Sequence, residues 1–144
     1  MSNPQEIVQQ FIDRVNIAAR GGDADPYELL DPDILVTVIG FTPLSGNYHG
    51  RPQVQHVLGG TLTDRFHEAT AEMAEVIGSG ARFAALGIIS GVSTTGNDYN
   101  RDRDTGGFVF EVRDGKIIEI IVYPDTTQIE TALFDNKYVD TIRS

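Results

Sequence analysis

Apolar residues near the start of the chain recur at three- and four-residue spacing, the period of a helix with one buried face. This face comprises Ile7, Val8, Phe11, Ile12, Val15, Ala18 and Ala19. Asn3, Pro4 and Glu6 supply a capping side chain, a proline at the first helical position and a carboxylate that reaches back to the cap. The pattern therefore predicts a first helix that runs from the Asn3 cap to Gly21-Gly22.

Two further helices are predicted before the chain changes its period. Asp25-Pro26 opens a short helix, which the turn signal Asp31-Pro32-Asp33 closes. Arg51-Pro52 opens a third helix, and Gly59-Gly60 weakens or bends the middle of that helix. Residues 40–50 are rich in Gly, Pro, Ser and Asn, and they predict a loop long enough to serve a function.

The remaining segments are β-branched or alternate with a period of two, which is typical of strands. Strands are predicted at residues 34–39, 70–77, 82–92, 99–112 and 116–123. Asp114-Gly115 is the strongest hairpin signal in the chain, and residues 126–134 predict a last short helix. Helices followed by a four-strand meander predict an α+β fold, in which a curved antiparallel sheet packs against three N-terminal helices.

Both faces of the last predicted strand are apolar. Alternation puts Ile118, Ile120 and Val122 on one face and Ile117, Ile121 and Tyr123 on the other, interrupted only by Glu119. A broad apolar sheet face is rarely left against water. We therefore expect a pocket on the concave face and a homodimer through the convex face, where Val109 joins Ile117, Ile121 and Tyr123. The alternative is a monomer whose long side chains and C-terminal segment cover that face.

Composition narrows the possible partners. The 144 residues fit a single domain, expected over residues 1–144, and the absence of cysteine excludes disulfides and thiolate chemistry. A formal net charge of −10 repels phosphate backbones and anionic lipids, so we expect neither a nucleic acid nor a membrane as partner. A small neutral or cationic ligand fits this charge better. The N-terminus shows no basic and apolar leader, so we expect the cytoplasm as location.

Motifs for metals and cofactors are missing from the pattern. His56 and His67 lie eleven residues apart, without an acidic residue at the helical spacing of a zinc motif. Gly87, Gly91 and Gly96 lie in strand and turn context rather than between a strand and a helix, where a phosphate loop or dinucleotide fingerprint would need them. We therefore expect no metal and no cofactor.

Four segments carry, in order, a resemblance to a known family. They are Gly21-Gly22-Asp23, Asp31-Pro32-Asp33-Ile34, Tyr48-His49-Gly50-Arg51 and residues 108–117. Together they resemble the SnoaL-like and ketosteroid-isomerase-like proteins of the nuclear-transport-factor-like superfamily, from about residue 7 to about residue 125. The resemblance implies a cone-shaped pocket, commonly in a homodimer. It leaves the reaction open, because the superfamily contains isomerases, polyketide cyclases, dehydratases, epoxide hydrolases and non-catalytic binding modules.

Most of the family chemistry does not carry over to this chain. The resemblance aligns Phe11, Val38 and Phe108 with the tyrosine, the base and the acid of ketosteroid isomerases, and all three are apolar. The charged triad of limonene-type epoxide hydrolases would fall near residues 85–88 and Val122, which are also apolar. The nearest remaining relatives in chemistry are the SnoaL-like cyclases, which use a pocket aspartate as acid or base.

The predicted pocket is largely apolar and has one carboxylate candidate. Its expected ligand-binding residues are Phe11, Val15, Val38, Asp102, Phe108, Phe110, Ile120 and Val122. Counting back by twos from Phe108 reaches Asp104 and Asp102 on the same predicted face. An apolar surrounding disfavours the charged form of a carboxylate, which suits such a group to proton transfer. The alternative is a solvated turn at residues 101–105, which Gly106-Gly107 favours.

Tyr48 and His49 complete the candidate site, as a proton donor and an acid or base at the pocket mouth. The alternative for His49 is a surface loop position or a cap of the next helix. We therefore expect a cofactor-independent isomerase or cyclase that acts on a hydrophobic small molecule by proton transfer, with Asp104, His49 and Tyr48 as catalytic residues. The alternative function is a non-catalytic module that binds a small ligand or dimerises.

Overall fold

The computed structural model describes residues 3–136. Its helices are α1 (Pro4–Ala19), α2 (Arg51–Val54), α3 (Gly60–Asp64) and α4 (Thr126–Gln128). Its strands are β1 (Leu30–Val38), β2 (Gly46–His49), β3 (Phe66–Ser79), β4 (Arg82–Ser93), β5 (Asp98–Tyr99), β6 (Gly106–Arg113) and β7 (Lys116–Tyr123). A 3-10 turn covers Pro26–Leu29, and π-helical turns cover Gln55–Gly59 and Ile129–Leu133. No helix within residues 3–136 is long and apolar enough to cross a membrane.

The first helix begins and ends where the sequence predicts. The Asn3 side chain accepts a hydrogen bond from the Glu6 backbone N–H at 2.8 Å and donates one to the Glu6 carboxylate at 3.0 Å. Its apolar face is buried at Ile7, Val8, Phe11 and Ile12. The helix therefore supplies one wall of the core.

The other helices are shorter or less regular than predicted. The second is a single 3-10 turn, because Asp25 caps the Tyr27 N–H and β1 already begins at Leu30. The third is interrupted by the π-helical turn that ends at Gly59, the glycine at which the sequence predicts weakness. The predicted loop at residues 40–50 contains the short edge strand β2.

The sheet has the order β2-β1-β7-β6-β4-β3, and β5 pairs with β4. All neighbouring pairs are antiparallel except β1 and β7, which run parallel. The sheet curls into a half-barrel around the helices, and its concave face packs against α1 through Phe11 and Phe110, whose rings meet edge to face at 5.9 Å. The predicted α+β fold, a curled sheet packed against helices, is confirmed.

The predicted strand at residues 99–112 is wrong in its middle. It consists of β5 and β6, separated by residues 100–105. Asn100 and Arg103 both have φ of 58°, which a strand does not allow. The Asn100 side chain closes this loop, because it accepts from the Asp104 N–H and donates to the Asp104 carbonyl, both at 2.9 Å. The count by twos from Phe108 to Asp104 therefore does not apply.

Alternation also fails once in β7. Glu119 faces Glu111, but Ile117 faces Val112, so Ile118 is an extra residue in a β-bulge. The bulge turns Ile117 into the core, where it is 0% exposed, and the prediction that it lies on the convex face is wrong. The convex apolar face instead comprises Ile77, Ala84, Leu86, Val109, Ile121 and Tyr123.

The bulge makes a prediction for two adjacent isoleucines. Ile117→Ala empties a fully buried position and should lower the free energy of unfolding by about 2–5 kcal/mol, whereas Ile118→Ala, at a half-buried position, should lower it by about 1 kcal/mol. Urea unfolding of both variants measures the difference. The reverse order would mean that β7 alternates without a bulge.

Candidate functional site

The main cavity lies between α1, the α2–α3 region and the concave face of the sheet, and its volume is about 200 Å³. Its lining is aliphatic and aromatic over almost its whole extent. The seven apolar residues predicted for the pocket, Phe11, Val15, Val38, Phe108, Phe110, Ile120 and Val122, all line it. These residues come from one helix and three strands, so their shared face is a property of the fold.

Few polar groups reach the main cavity, and some of them are already bonded. Asn16 donates to the Ala71 carbonyl at 2.9 Å and accepts from the Ala71 N–H at 2.8 Å, which ties α1 to β3. The Thr61 hydroxyl donates to the Val57 carbonyl at 2.8 Å. The hydroxyls of Tyr27 and Tyr99 form no hydrogen bond to any atom of residues 3–136. Two phenol groups are therefore available to a polar atom of a ligand.

Both phenols remain protonated donors at neutral pH. Burial, and secondly the negative charge of Asp125, raises the pKa of Tyr99 to about 12. Burial, and secondly the charge of Asp25, also raises the pKa of Tyr27. A phenol with a raised pKa keeps its proton and can donate a hydrogen bond to a carbonyl or alcohol oxygen.

A second cavity of about 230 Å³ adjoins the main one. The two share Ile89, Tyr99 and Pro124 as lining residues. The rest of the second lining is more polar and comprises Asn100, Asp104, Thr105, Gly106, Tyr123 and Asp125. This cavity lies where the chain leaves β7 and enters β6, so its carboxylates come from two loops at the same end of the sheet.

The predicted catalytic residues do not lie together. Asp104 lines the second cavity and is exposed, while Asp102, on the same loop, lines neither cavity. Tyr48 donates its hydroxyl to the Leu44 carbonyl at 2.6 Å, and burial raises its pKa. His49 is exposed on the edge strand β2, where its N–H donates to Gln53. Neither Tyr48 nor His49 lines either cavity.

Sequence reasoning missed Tyr99 and Asp125. Tyr99 begins the predicted strand at residues 99–112, and nothing in that pattern distinguishes it from a core residue. Asp125 caps α4 by accepting from the Gln128 N–H at 3.2 Å, and an aspartate before Thr126 is a recognisable capping signal. Its position beside Tyr99 depends on the tertiary fold, which a local signal does not contain.

Metal binding finds little support in the described part of the chain. Among residues 3–136, no group of three or more His, Asp or Glu side chains converges in a way that could hold a metal ion. Asp104 and Asp125 are two carboxylates without a third partner of that kind. The candidate site consists of the apolar main cavity and the adjoining second cavity, whose lining is more polar.

Several solved structures share the fold of this chain. An NTF2-like protein of unknown function from Burkholderia pseudomallei is 20% identical, with a TM-score of 0.76 over 92% of this chain and 98% of that chain. TerC, crystallised with polyporic acid, is 19% identical, with a TM-score of 0.71 over 92% and 99%. A candidate polyketide cyclase from Sinorhizobium meliloti is 15% identical, with a TM-score of 0.59 over 81% and 93%. At these identities the likeness establishes the fold alone.

The family assignment comes from the sequence itself. A comparison with curated proteins finds no match. The SnoaL-like domain matches residues 8–120, which is well over half of the chain and includes most of α1 and all the strands except the end of β7. The resemblance to SnoaL-like proteins predicted from the sequence is thereby confirmed, and the chain belongs to the SnoaL-like family.

Proposed function

We propose that the protein binds an apolar small molecule in the main cavity. The observation that carries this proposal is a cavity of about 200 Å³ whose described walls are aliphatic and aromatic, with two uncommitted phenols, those of Tyr27 and Tyr99. Ligand sites in proteins are commonly of this kind, an apolar enclosure with a few polar groups that fix orientation.

The size of the cavity supports a ligand over a packing defect. Protein interiors are close-packed and contain few voids larger than a water molecule, so an apolar cavity of about 200 Å³ is unusual as a packing defect. A ligand that fills the space recovers contacts with rings such as Phe11 and Phe108. TerC, which shares the fold, was crystallised with a small molecule, polyporic acid.

A neutral fluorescent probe tests the binding directly. N-Phenyl-1-naphthylamine should bind the wild-type protein with a rise in fluorescence, because its rings leave water for an apolar enclosure. Ala71→Leu adds bulk to the cavity wall and should weaken binding about tenfold or more. Ala74→Leu makes the same change at an exposed position of β3 and should leave binding unchanged.

Two results would contradict the binding proposal. One is wild-type protein that leaves the fluorescence of the probe at its value in buffer. The other is equal binding by the wild type and by a folded Ala71→Leu variant, because the probe would then sit elsewhere. Circular dichroism and thermal unfolding of the Ala71→Leu and Ala74→Leu variants establish that both remain folded.

A second candidate function is cofactor-independent proton transfer of the isomerase or cyclase type. Asp104 and Tyr99 line the same cavity, and Tyr99 also lines the main one, which favours this candidate. Asp104 would take a proton from the carbon next to a carbonyl and return it to another carbon, while the Tyr99 hydroxyl donates to the oxygen that becomes negative. Asp102, expected as the alternative base, lines neither cavity and takes no role in this proposal. Tyr48 and His49, expected as donors, line neither cavity, and Tyr99 takes their role in this proposal.

Hydrogen exchange tests proton transfer without knowledge of the substrate. In D₂O, the protein should speed the uptake of deuterium at the carbons next to the carbonyl of 2-tetralone, measured by mass spectrometry. Asp104→Asn should lower the enzymatic rate by about a hundredfold or more, the usual size of general base catalysis. If the protein binds the ketone and yet leaves the exchange rate at its value in buffer, that result would contradict the catalytic candidate and leave the binding function intact.

The convex face of the sheet supports a homodimer. Ile77 and Tyr123 are 51% and 48% exposed, which is unusual for side chains of this size and leaves apolar area open to water. A second copy offers the same face, so the two strips would cover each other. We propose a homodimer through this face.

Sedimentation equilibrium at micromolar concentration should give about twice the chain mass of 15.7 kDa. Ile121→Lys places a charge within the convex apolar face, on β7, and should release monomers. Ile17→Lys makes the same change at a 37% exposed position of α1 and should leave the dimer intact. Wild-type protein at the monomer mass would contradict the dimer.

The extent of the domain and the location of the protein remain proposals. We propose that a single SnoaL-like domain accounts for residues 1–144, supported by one large core that joins α1 to four strands. The cytoplasm is the location proposed from the sequence, and fractionation of cells that produce the protein would test it.

A further inference from the structure

The second cavity is acidic. Asp104 contributes a carboxylate from the loop before β6, and Asp125 contributes another from the turn after β7. No lysine, arginine or histidine is among its described lining residues. The lining of the second cavity therefore includes two carboxylate residues and no described cationic residue.

The two carboxylates have no cationic partner within residues 3–136. Arg103, the next residue to Asp104, pairs instead with Glu72 on β3 at 2.8 Å. Asp125 uses one oxygen to accept from the Gln128 N–H at 3.2 Å. The hydrogen bonds of Asp104 run through its backbone to the Asn100 side chain. Carboxylate oxygens of both residues consequently remain available.

Tyr99 points independently to a ligand in this place. Its side chain is only 7% exposed, yet its hydroxyl forms no hydrogen bond to any described residue. The ring is held edge to face against Phe66 at 5.3 Å. Among residues 3–136 the only fully buried side-chain nitrogen or oxygen without a partner is Arg51 Nε, so the Tyr99 hydroxyl keeps some accessible surface although the residue as a whole is buried. A polar atom of a ligand at the junction of the two cavities would supply the missing partner.

We propose that the second cavity binds the protonated amine of an amphipathic ligand whose apolar body fills the main cavity, an inference that rests on the proposed binding function. The ammonium donates hydrogen bonds to the carboxylates of Asp104 and Asp125 and to the Tyr99 oxygen. A single ligand can occupy both cavities because Ile89, Tyr99 and Pro124 line both.

Charge favours a cation over other polar heads. A net charge of −10 raises the local concentration of small cations and lowers that of anions. A carboxylate head would lie beside two negative side chains, and a hydroxyl head would lack the charge-assisted hydrogen bonds that an ammonium forms. The chemical class of ligand is therefore an arylalkyl or alicyclic amine, which is protonated at neutral pH.

Three probes with one body and different heads test this assignment by calorimetry. They are 2-naphthylmethylamine, 2-naphthalenemethanol and 2-naphthoate. The wild-type protein should bind the amine about tenfold more tightly than the alcohol, and the carboxylate most weakly, because hydrogen bonds to charged partners are the strong ones.

Conservative variants locate the amine. Asp104→Asn and Asp125→Asn should each weaken amine binding about threefold to tenfold and leave alcohol binding within about twofold, and asparagine still caps α4. Asp114→Asn removes the same charge from the hairpin at the opposite end of β6 and β7 and should change neither affinity. Tyr99→Phe should weaken both the amine and the alcohol.

The outcomes separate this inference from the proposed function. Equal affinity of the wild type for amine and alcohol would overturn the cation site and leave apolar binding standing. Amine binding that Asp104→Asn and Asp125→Asn leave unchanged would overturn it as well. Binding of none of the three probes would overturn the proposed function together with the inference. The inference is supported if the wild type binds the amine more tightly than the alcohol and if Asp104→Asn and Asp125→Asn each reduce that difference.

Discussion

The cavity depends on how closely β3 can curl over β4. Gly87 and Gly91 lie on the concave side of β4, and a Cβ at either would overlap the carbonyl oxygen of Glu72 or Glu68 on β3. Glycine is therefore required where the two backbones approach, and the β3 bulge between Met73 and Glu75 adds to the bend. A flatter sheet would not enclose space against α1. Because the sheet curls, its apolar concave face becomes one wall of the main cavity.

The break between β5 and β6 gives the main cavity its polar end. If residues 99–112 formed one strand, ladder hydrogen bonds would hold Asp104 against a neighbouring strand. Positive φ at Asn100 and Arg103 instead folds the chain into a loop that opens beside Pro124 and Asp125. Apolar walls and charged groups are consequently adjacent but separate. Such a division suits a ligand with one apolar part and one polar part.

The sequence predicts most of the main cavity and little of its polar end. Where the period is unbroken, as around Phe108 and Phe110, alternation identifies the lining residues correctly, and the Asn3 cap marks the helix start. It fails at Ile118, because a bulge inserts one residue without a glycine or proline to signal it. The count by twos that leads to Asp104 assumes an unbroken strand, whereas Asp104 lies in the loop between β5 and β6 and lines the second cavity from there. Tyr99 meets Asp125 only through tertiary folding, which no local pattern encodes.

A crystal structure with a brominated amine tests the central claim most directly. The bromine of 6-bromo-2-naphthylmethylamine gives an anomalous signal that locates the ring without reference to the fitted ligand. The account predicts one strong peak inside the main cavity near Phe11 and Phe108, with density for the amine beside Asp104 and Asp125. A peak on the convex sheet face, or a main cavity filled by ordered water at saturating ligand, would contradict it.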